Sequence, residues 1–100
     1  MNNDSTTSDV LDMVRTERKR QLSLWGDQNH SAYEWITILG EEFGEACNAI
    51  LRGVKNDTIT ELVQVAAVAV AVIEDILTST DTSIHYHDTE ISDSALNPEP

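Results

Sequence analysis

The sequence predicts an all-α protein, a helical bundle of three main helices per chain that is completed by oligomerisation. Apolar residues recur at three- and four-residue steps through the middle of the chain, the period of an amphipathic helix. Helix punctuation brackets that pattern: Ser31 with Glu34 at one end and Gly53 at the other. The chain is also short, 100 residues with 40% hydrophobic side chains and 5% aromatic ones. A domain of this size leaves much apolar surface uncovered when it folds alone. Association into a homodimer or homotetramer is therefore expected.

Residues 1–8 are polar and are expected to be disordered. Ser8 or Asp9 is the candidate cap of a first helix, in which Val10, Leu11, Val14, Arg18, Gln21 and Leu22 fall at helical spacing. That helix should run to about Leu24, where Trp25 and Gly26 break it and residues 27–30 form a loop. A second helix starts near Ser31, whose hydroxyl and the Glu34 carboxylate can cap each other's free amides. Trp35, Ile38, Leu39, Ala46, Ala49 and Ile50 continue it on one face. Gly40 and Gly44 lie mid-helix, each costing about 1 kcal/mol relative to alanine. The apolar period runs through both, so close packing against another helix is expected there rather than a break. Gly53 ends the helix.

Asn56, Asp57 or Thr58 should cap a third helix from about Thr58 to Leu77. Its middle, residues 65–73, is apolar on every side, as in a helix buried at the centre of a bundle or oligomer. A strand competes, because valine and alanine alternate from Val68 to Val72; the length between breakers favours helix. The domain therefore spans residues 9–79. Residues 80–100 read as an acidic, mostly disordered tail. His85, His87 and Asp88 lie there, as solvated tail residues rather than a metal site.

The net charge is −12, from 18 acidic and 6 basic residues. Asp75, Asp81, Asp88, Glu90, Asp93 and Glu99 supply part of it towards the C-terminal end. Such a surface repels phosphate backbones and argues against nucleic-acid binding. A small phosphorylated substrate requires intervening cations. The lone cysteine, Cys47, reads as a small buried hydrophobe, since a nucleophile would need a histidine partner. No basic stretch precedes an apolar run at the N-terminus, so no signal peptide is expected. Residues 65–73 are too few to span a bilayer. A cytoplasmic protein without membrane attachment is expected, in a bacterium or phage-infected host.

The most informative segment is Glu41-Glu42-Phe43-Gly44-Glu45. Glu42 and Glu45 are three apart and share a helix face. Ile38 and Leu39 precede Glu42 by one turn, and Ala46 and Ala49 follow it. A carboxylate inside an apolar stripe is excluded unless it is paired or binds metal. Glu61, one turn before Val65, is placed similarly. Salt bridges from Arg15, Arg18, Lys19 and Arg20 are one answer to the repulsion, and a divalent cation is the other. Magnesium takes oxygen ligands and is commonly held by one or two carboxylates plus substrate phosphates. A solvated acidic patch is the competing reading, and the pattern does not choose between them. A di-iron bundle requires Glu-x-x-His on two helices. Asn48 and Gln64 stand at the histidine positions and argue against it.

At these residues the chain resembles the MazG-like branch of the all-α nucleoside triphosphate pyrophosphohydrolases. The family pattern is Glu-Glu-x-x-Glu on one helix and Glu-x-x-Asp on the next. This chain carries Glu41-Glu42-Phe43-Gly44-Glu45 and Glu61-Leu62-Val63-Gln64. Upstream, Glu17-Arg18-Lys19-Arg20-Gln21 and Trp25-Gly26-Asp27-Gln28-Asn29-His30 are similar to small phage-type members, as is the stretch from Gln64 to Ala71. The likeness runs from about Val10 to Leu77.

The resemblance implies hydrolysis of a nucleoside triphosphate to the monophosphate and pyrophosphate, by water attack at the α-phosphate with Mg²⁺ or Mn²⁺. It makes Glu42, Glu45 and Glu61 metal ligands, with Gln64 in the fourth ligand position. Glu41 would orient or deprotonate the water, so Glu41, Glu42 and Glu45 form the expected catalytic group. It also implies dimers or dimers of dimers with sites near subunit interfaces. The likeness to phage members extends the expectation to a purine deoxynucleoside triphosphate and control of a phage's nucleotide pool. The departure is Gln64, a neutral carbonyl where the family has an aspartate, which weakens one metal position. Arg18, Arg52 and Lys55 are candidates for the outer phosphates. Trp25 could stack a base and Asn29 read its edge, against plain surface and packing roles for the same residues. Arg15, Lys19 and Arg20 read as solvated helix-face charges. The alternative function is a non-catalytic acidic helical module for oligomerisation or partner binding.

Overall fold

The computed structural model describes residues 3–79 and contains three helices: α1 Asn3–Trp25, α2 Ala32–Arg52 and α3 Lys55–Thr78. The fold is all-α, with no strand among the described residues. The expected tail, with His85, His87 and Asp88, lies outside them.

Local sequence explains most of the boundaries. At Ser31 the capping box forms: the Ser31 hydroxyl accepts from the Glu34 amide at 3.2 Å, and the Ser31 amide donates to the Glu34 carboxylate at 2.9 Å. Those bonds draw the Glu34 carboxyl below its usual value, the Ser31 amide foremost. Gly53 closes α2 in the left-handed region, φ 73°, with its amide on the Ala49 and Ile50 carbonyls. Gly26 does the same after α1 at φ 70°, donating to the Leu22 carbonyl. Only glycine takes such angles without a steric penalty.

Two boundaries differ from expectation. Residues 1–8 were expected to be disordered, yet α1 is already helical from Asn3. No breaker separates these residues from Val10, and Asp4 in the first turn complements the helix dipole. Likewise α3 starts at Lys55, before all three expected caps. Its N-cap is Val54, which has no capping side chain. Asp57 supplies the negative charge of the first turn, and the Thr58 hydroxyl donates back to the Val54 carbonyl at 2.8 Å.

α3 is the central element. It packs on both other helices, while α1 and α2 hardly meet. α2 runs antiparallel to it: Trp35 meets Asp75 at one end, and Glu42 and Glu45 meet Glu61 at the other. α1 runs parallel to it: Val10 and Met13 line a groove with Ile59 and Val63, and Arg18 further on is bonded to Glu74.

The core is thin. Its buried apolar residues are Trp35, Ala46 and Ala49 of α2 and Ala67, Val68 and Ala71 of α3, supported by half-buried Ile38, Leu39 and Val72. The stretch 65–73 is central but not buried all round within one chain, since Ile73 is 56% exposed. Ile50, expected on the packed face of α2, is exposed as well. Gly40 and Gly44 do not serve close packing inside the chain: a Cβ at either would meet nothing within 4 Å. They stand on an outer face of α2 with exposed Tyr33, Ile36, Phe43 and Leu51. Cys47 is only half-buried. No helix among the described residues is long and apolar enough to cross a membrane.

Candidate metal centre

Helix spacing and antiparallel packing build the site together. Glu42 and Glu45 sit one turn apart on α2, and the turn through Gly53 and Val54 folds α3 back so that Glu61 faces them. One carboxylate oxygen from each of Glu42, Glu45 and Glu61 lies within 4.8 Å of the other two. Glu42 and Glu61 are half-buried, and Glu45 is exposed. Glu42 Oε2 and Glu61 Oε2 are buried without a hydrogen-bond partner.

Buried carboxylate oxygens without donors are costly. The cost is visible at Glu42, whose carboxyl is pushed above its usual value. Burial is the largest cause, followed by the charges of Glu45, Glu61, Glu17 and Glu41. Glu41 itself is exposed and stays outside the converging group. Gln64 is half-buried one turn after Glu61.

These residues suit a hard divalent cation. All the donors are oxygens, and two of them lack any other partner. Magnesium binds oxygen at about 2.0–2.1 Å in an octahedron, so neighbouring ligands of one ion stand about 3 Å apart and opposite ones about 4 Å. The three oxygens, all within 4.8 Å of one another, reach that spacing by an inward rotation of the flexible glutamate side chains.

The sequence did not single out Glu17 as part of this site. It comes from α1, with a side chain only 12% exposed, and its charge reaches Glu42. Arg20 binds it through two nitrogens at 2.9 and 2.7 Å, and the Gln21 amide adds a bond at 3.3 Å. These partners, Arg20 first, hold the Glu17 carboxyl below its usual value. Its signal lay in the segment Glu17–Gln21, with an acid and a base three apart, but nothing in helical periodicity aims that pair at another helix.

The residues expected at the substrate are spread out. Arg18 is 12% exposed and bound to Glu74 at 2.8 Å. Glu74 lies thirteen residues beyond Glu61, about 20 Å along the helix at 1.5 Å per residue. Asn29 lines a groove of about 520 Å³ with Arg18, Asp27, Gln28 and Glu74, at that same far end. Trp25, the last residue of α1, is 56% exposed. Lys55 is exposed at the opposite end, six residues before Glu61. Arg52 lies 3.5 Å from Asp57.

A second polar feature was also missed. Asp75, counted only among the acids of the C-terminal part, lies in α3 and is only 4% exposed. It accepts from Trp35 Nε1 at 2.8 Å and from the His30 amide at 3.1 Å. The His30 ring stands edge-on to Trp35 at 4.7 Å. The spacing Val68, Ala71, Asp75 carried the signal, because it puts Asp75 on the buried stripe. This network fastens the α1–α2 connection to the end of α3.

Comparison of the chain with family models, curated proteins and solved structures gives no match.

Proposed function

We propose that this chain is a metal-dependent pyrophosphohydrolase of nucleoside triphosphates, similar to the MazG-like enzymes. The observation that carries the proposal is the convergence of Glu42, Glu45 and Glu61 from two helices, with two buried carboxylate oxygens lacking donors. The resemblance of the ordered segments from Glu17 to Ala71 points the same way. The net charge of −12 repels a triphosphate, so bound cations are needed to receive it.

When bound, Mg²⁺ or Mn²⁺ supplies charge neutralisation and Lewis acidity. Glu42, Glu45 and Glu61 would hold it, with the carbonyl oxygen of Gln64 as a neutral and weaker fourth ligand. Glu41 accepts the proton of the water that attacks the α-phosphorus. The bond from that phosphorus to the bridging oxygen breaks, and pyrophosphate leaves with that oxygen. A purine deoxynucleoside triphosphate is the proposed substrate class. A homodimer or homotetramer covers the exposed face of α2.

That same face supports a second reading, a non-catalytic acidic helical module whose role is association. Tyr33, Ile36, Phe43 and Leu51 are all more than half exposed on a helix whose other side is packed. One assay separates the two readings: pyrophosphate release from the common NTPs and dNTPs with Mg²⁺, Mn²⁺ or EDTA. Metal-dependent release with one preferred base is expected. Absence of release at high protein concentration assigns the protein to the second reading.

A further inference from the structure

The phosphate-binding cation of this site can be sought among the basic residues by how each is held. Arg18 is largely covered and committed to Glu74 at the far end of α3. Arg15 is bound to Asp12 on the outer surface of α1, both side chains 66% exposed. Arg52 faces Asp57. Arg20 differs in two respects. It is anchored by the bidentate bond to Glu17, a carboxylate that is almost covered. Glu17 in turn lines a groove between α1 and α3 together with Thr60 and Val63, one residue before and two residues after Glu61. The anchor thus stands against the part of α3 that supplies a metal ligand.

A guanidinium has five N–H donors in a planar fork. Glu17 engages Nε and one terminal nitrogen of Arg20, and the Arg20 side chain remains 49% exposed. Donors remain available without breaking the pair. The hydrogen bonds and charge of Glu17 and, more weakly, the charge of Glu42 raise the already high Arg20 value further. An arginine held in this way loses little rotamer freedom on meeting an anion.

We infer that Arg20, oriented by Glu17, is the residue that receives the outer phosphates of a polyphosphate seated on the Glu42–Glu45–Glu61 cluster. This inference rests on the metal-dependent reading above. It assigns Arg20 a binding role and Glu17 a positioning role. Arg18 takes neither.

Inorganic tripolyphosphate serves as the probe, because it carries the phosphate chemistry and no base. Its binding to the Mn²⁺-loaded full chain is measured by calorimetry, and Mn²⁺ binding alone by electron paramagnetic resonance. Arg20→Gln should weaken tripolyphosphate by roughly ten- to a hundredfold, the range for losing a charge-assisted contact, and leave Mn²⁺ affinity within about twofold. Lys19→Gln removes the same charge from the adjacent exposed position and should change neither by more than about twofold. Arg20→Lys keeps charge and fold but loses the fork, and should fall between Arg20→Gln and wild type. Glu17→Gln should also fall between them. Wild-type tripolyphosphate affinity in Arg20→Gln, with Mn²⁺ still bound, overturns the role of Arg20 and leaves the metal site standing. Equal losses in Lys19→Gln and Arg20→Gln overturn it too, since net charge alone then explains the effect. Failure of the wild type to bind Mn²⁺ overturns the metal reading and this inference together.

Discussion

Replacing Glu42 by glutamine removes one charge from a group of carboxylates while keeping the shape of the side chain. In the metal-free protein that charge is a liability. Glu42 has oxygens of Glu45 and Glu61 within 4.8 Å. Two unit charges at that distance repel by about 0.9 kcal/mol with water-like screening. The exposure of Glu45 makes that the appropriate regime. Relief of the two contacts should therefore stabilise the metal-free protein by about 1–2 kcal/mol. A gain of 1 kcal/mol raises Tm by about 4–8 °C in a domain of this size.

The pH dependence has a definite sign. Glu42 has a folded-state value above its ordinary 4.5. The folded state then binds this proton more tightly, so the stability that Glu42 contributes is greatest below 4.5 and is lost as pH rises through the raised value. The wild type and Glu42→Gln should agree at acid pH and separate towards neutrality, the variant being the more stable. Mn²⁺ should reverse the order. A ligand at a hundred times its Kd adds about 2.7 kcal/mol to the wild type and little to the variant. Thermal unfolding followed by circular dichroism, in EDTA and in Mn²⁺ across pH, measures all of this. A lower Tm for Glu42→Gln in EDTA, with full stabilisation by Mn²⁺ retained, would show that Glu42 is a structural residue and not a ligand.

Asp75→Ala leaves the Trp35 indole and the His30 amide without their acceptor, at about 1–3 kcal/mol for each buried group. Urea unfolding should show a loss of at least 2 kcal/mol, and a change near zero would contradict the network. Ser31→Ala removes one half of the capping box and should cost about 1 kcal/mol by the same measurement; Ser31→Gly should cost only a few tenths. Phe43→Glu places a charge on the exposed face of α2 beside Gly40 and Gly44 and should lower the mass found by sedimentation. A wild type that sediments as a monomer at all concentrations would remove the basis for association through this face.

Where a feature depends on neighbours within a few residues, the amino-acid pattern was sufficient. The capping box at Ser31, the left-handed glycine at Gly53 and the break at Gly26 are all backbone chemistry settled over three or four positions. The inward placement of Glu42 was readable too, because an acid between Ile38–Leu39 and Ala46–Ala49 shares their helix face. Its meeting with Glu61 needed only that consecutive helices joined by a short turn pack antiparallel.

Contacts between residues far apart in the chain could not be read in this way. Arg18 and Arg20 belong to the same basic run, yet one pairs with Glu74 and the other with Glu17 near the carboxylate cluster. The Arg20 pair is local, one turn back on its own helix, but the reach of Arg18 to Glu74 follows from the rotation and offset of α1 against α3, to which helical periodicity is indifferent. Composition counted Asp75 only as one more acid towards the C-terminal end, whereas packing buries it under Trp35. Gly40 and Gly44 suggested close packing, and the fold leaves both facing outward, because α3 is already occupied by the opposite side of α2. Sequence periodicity marks which residues share a side of a helix; which neighbour covers that side is decided by the packing of all three helices at once.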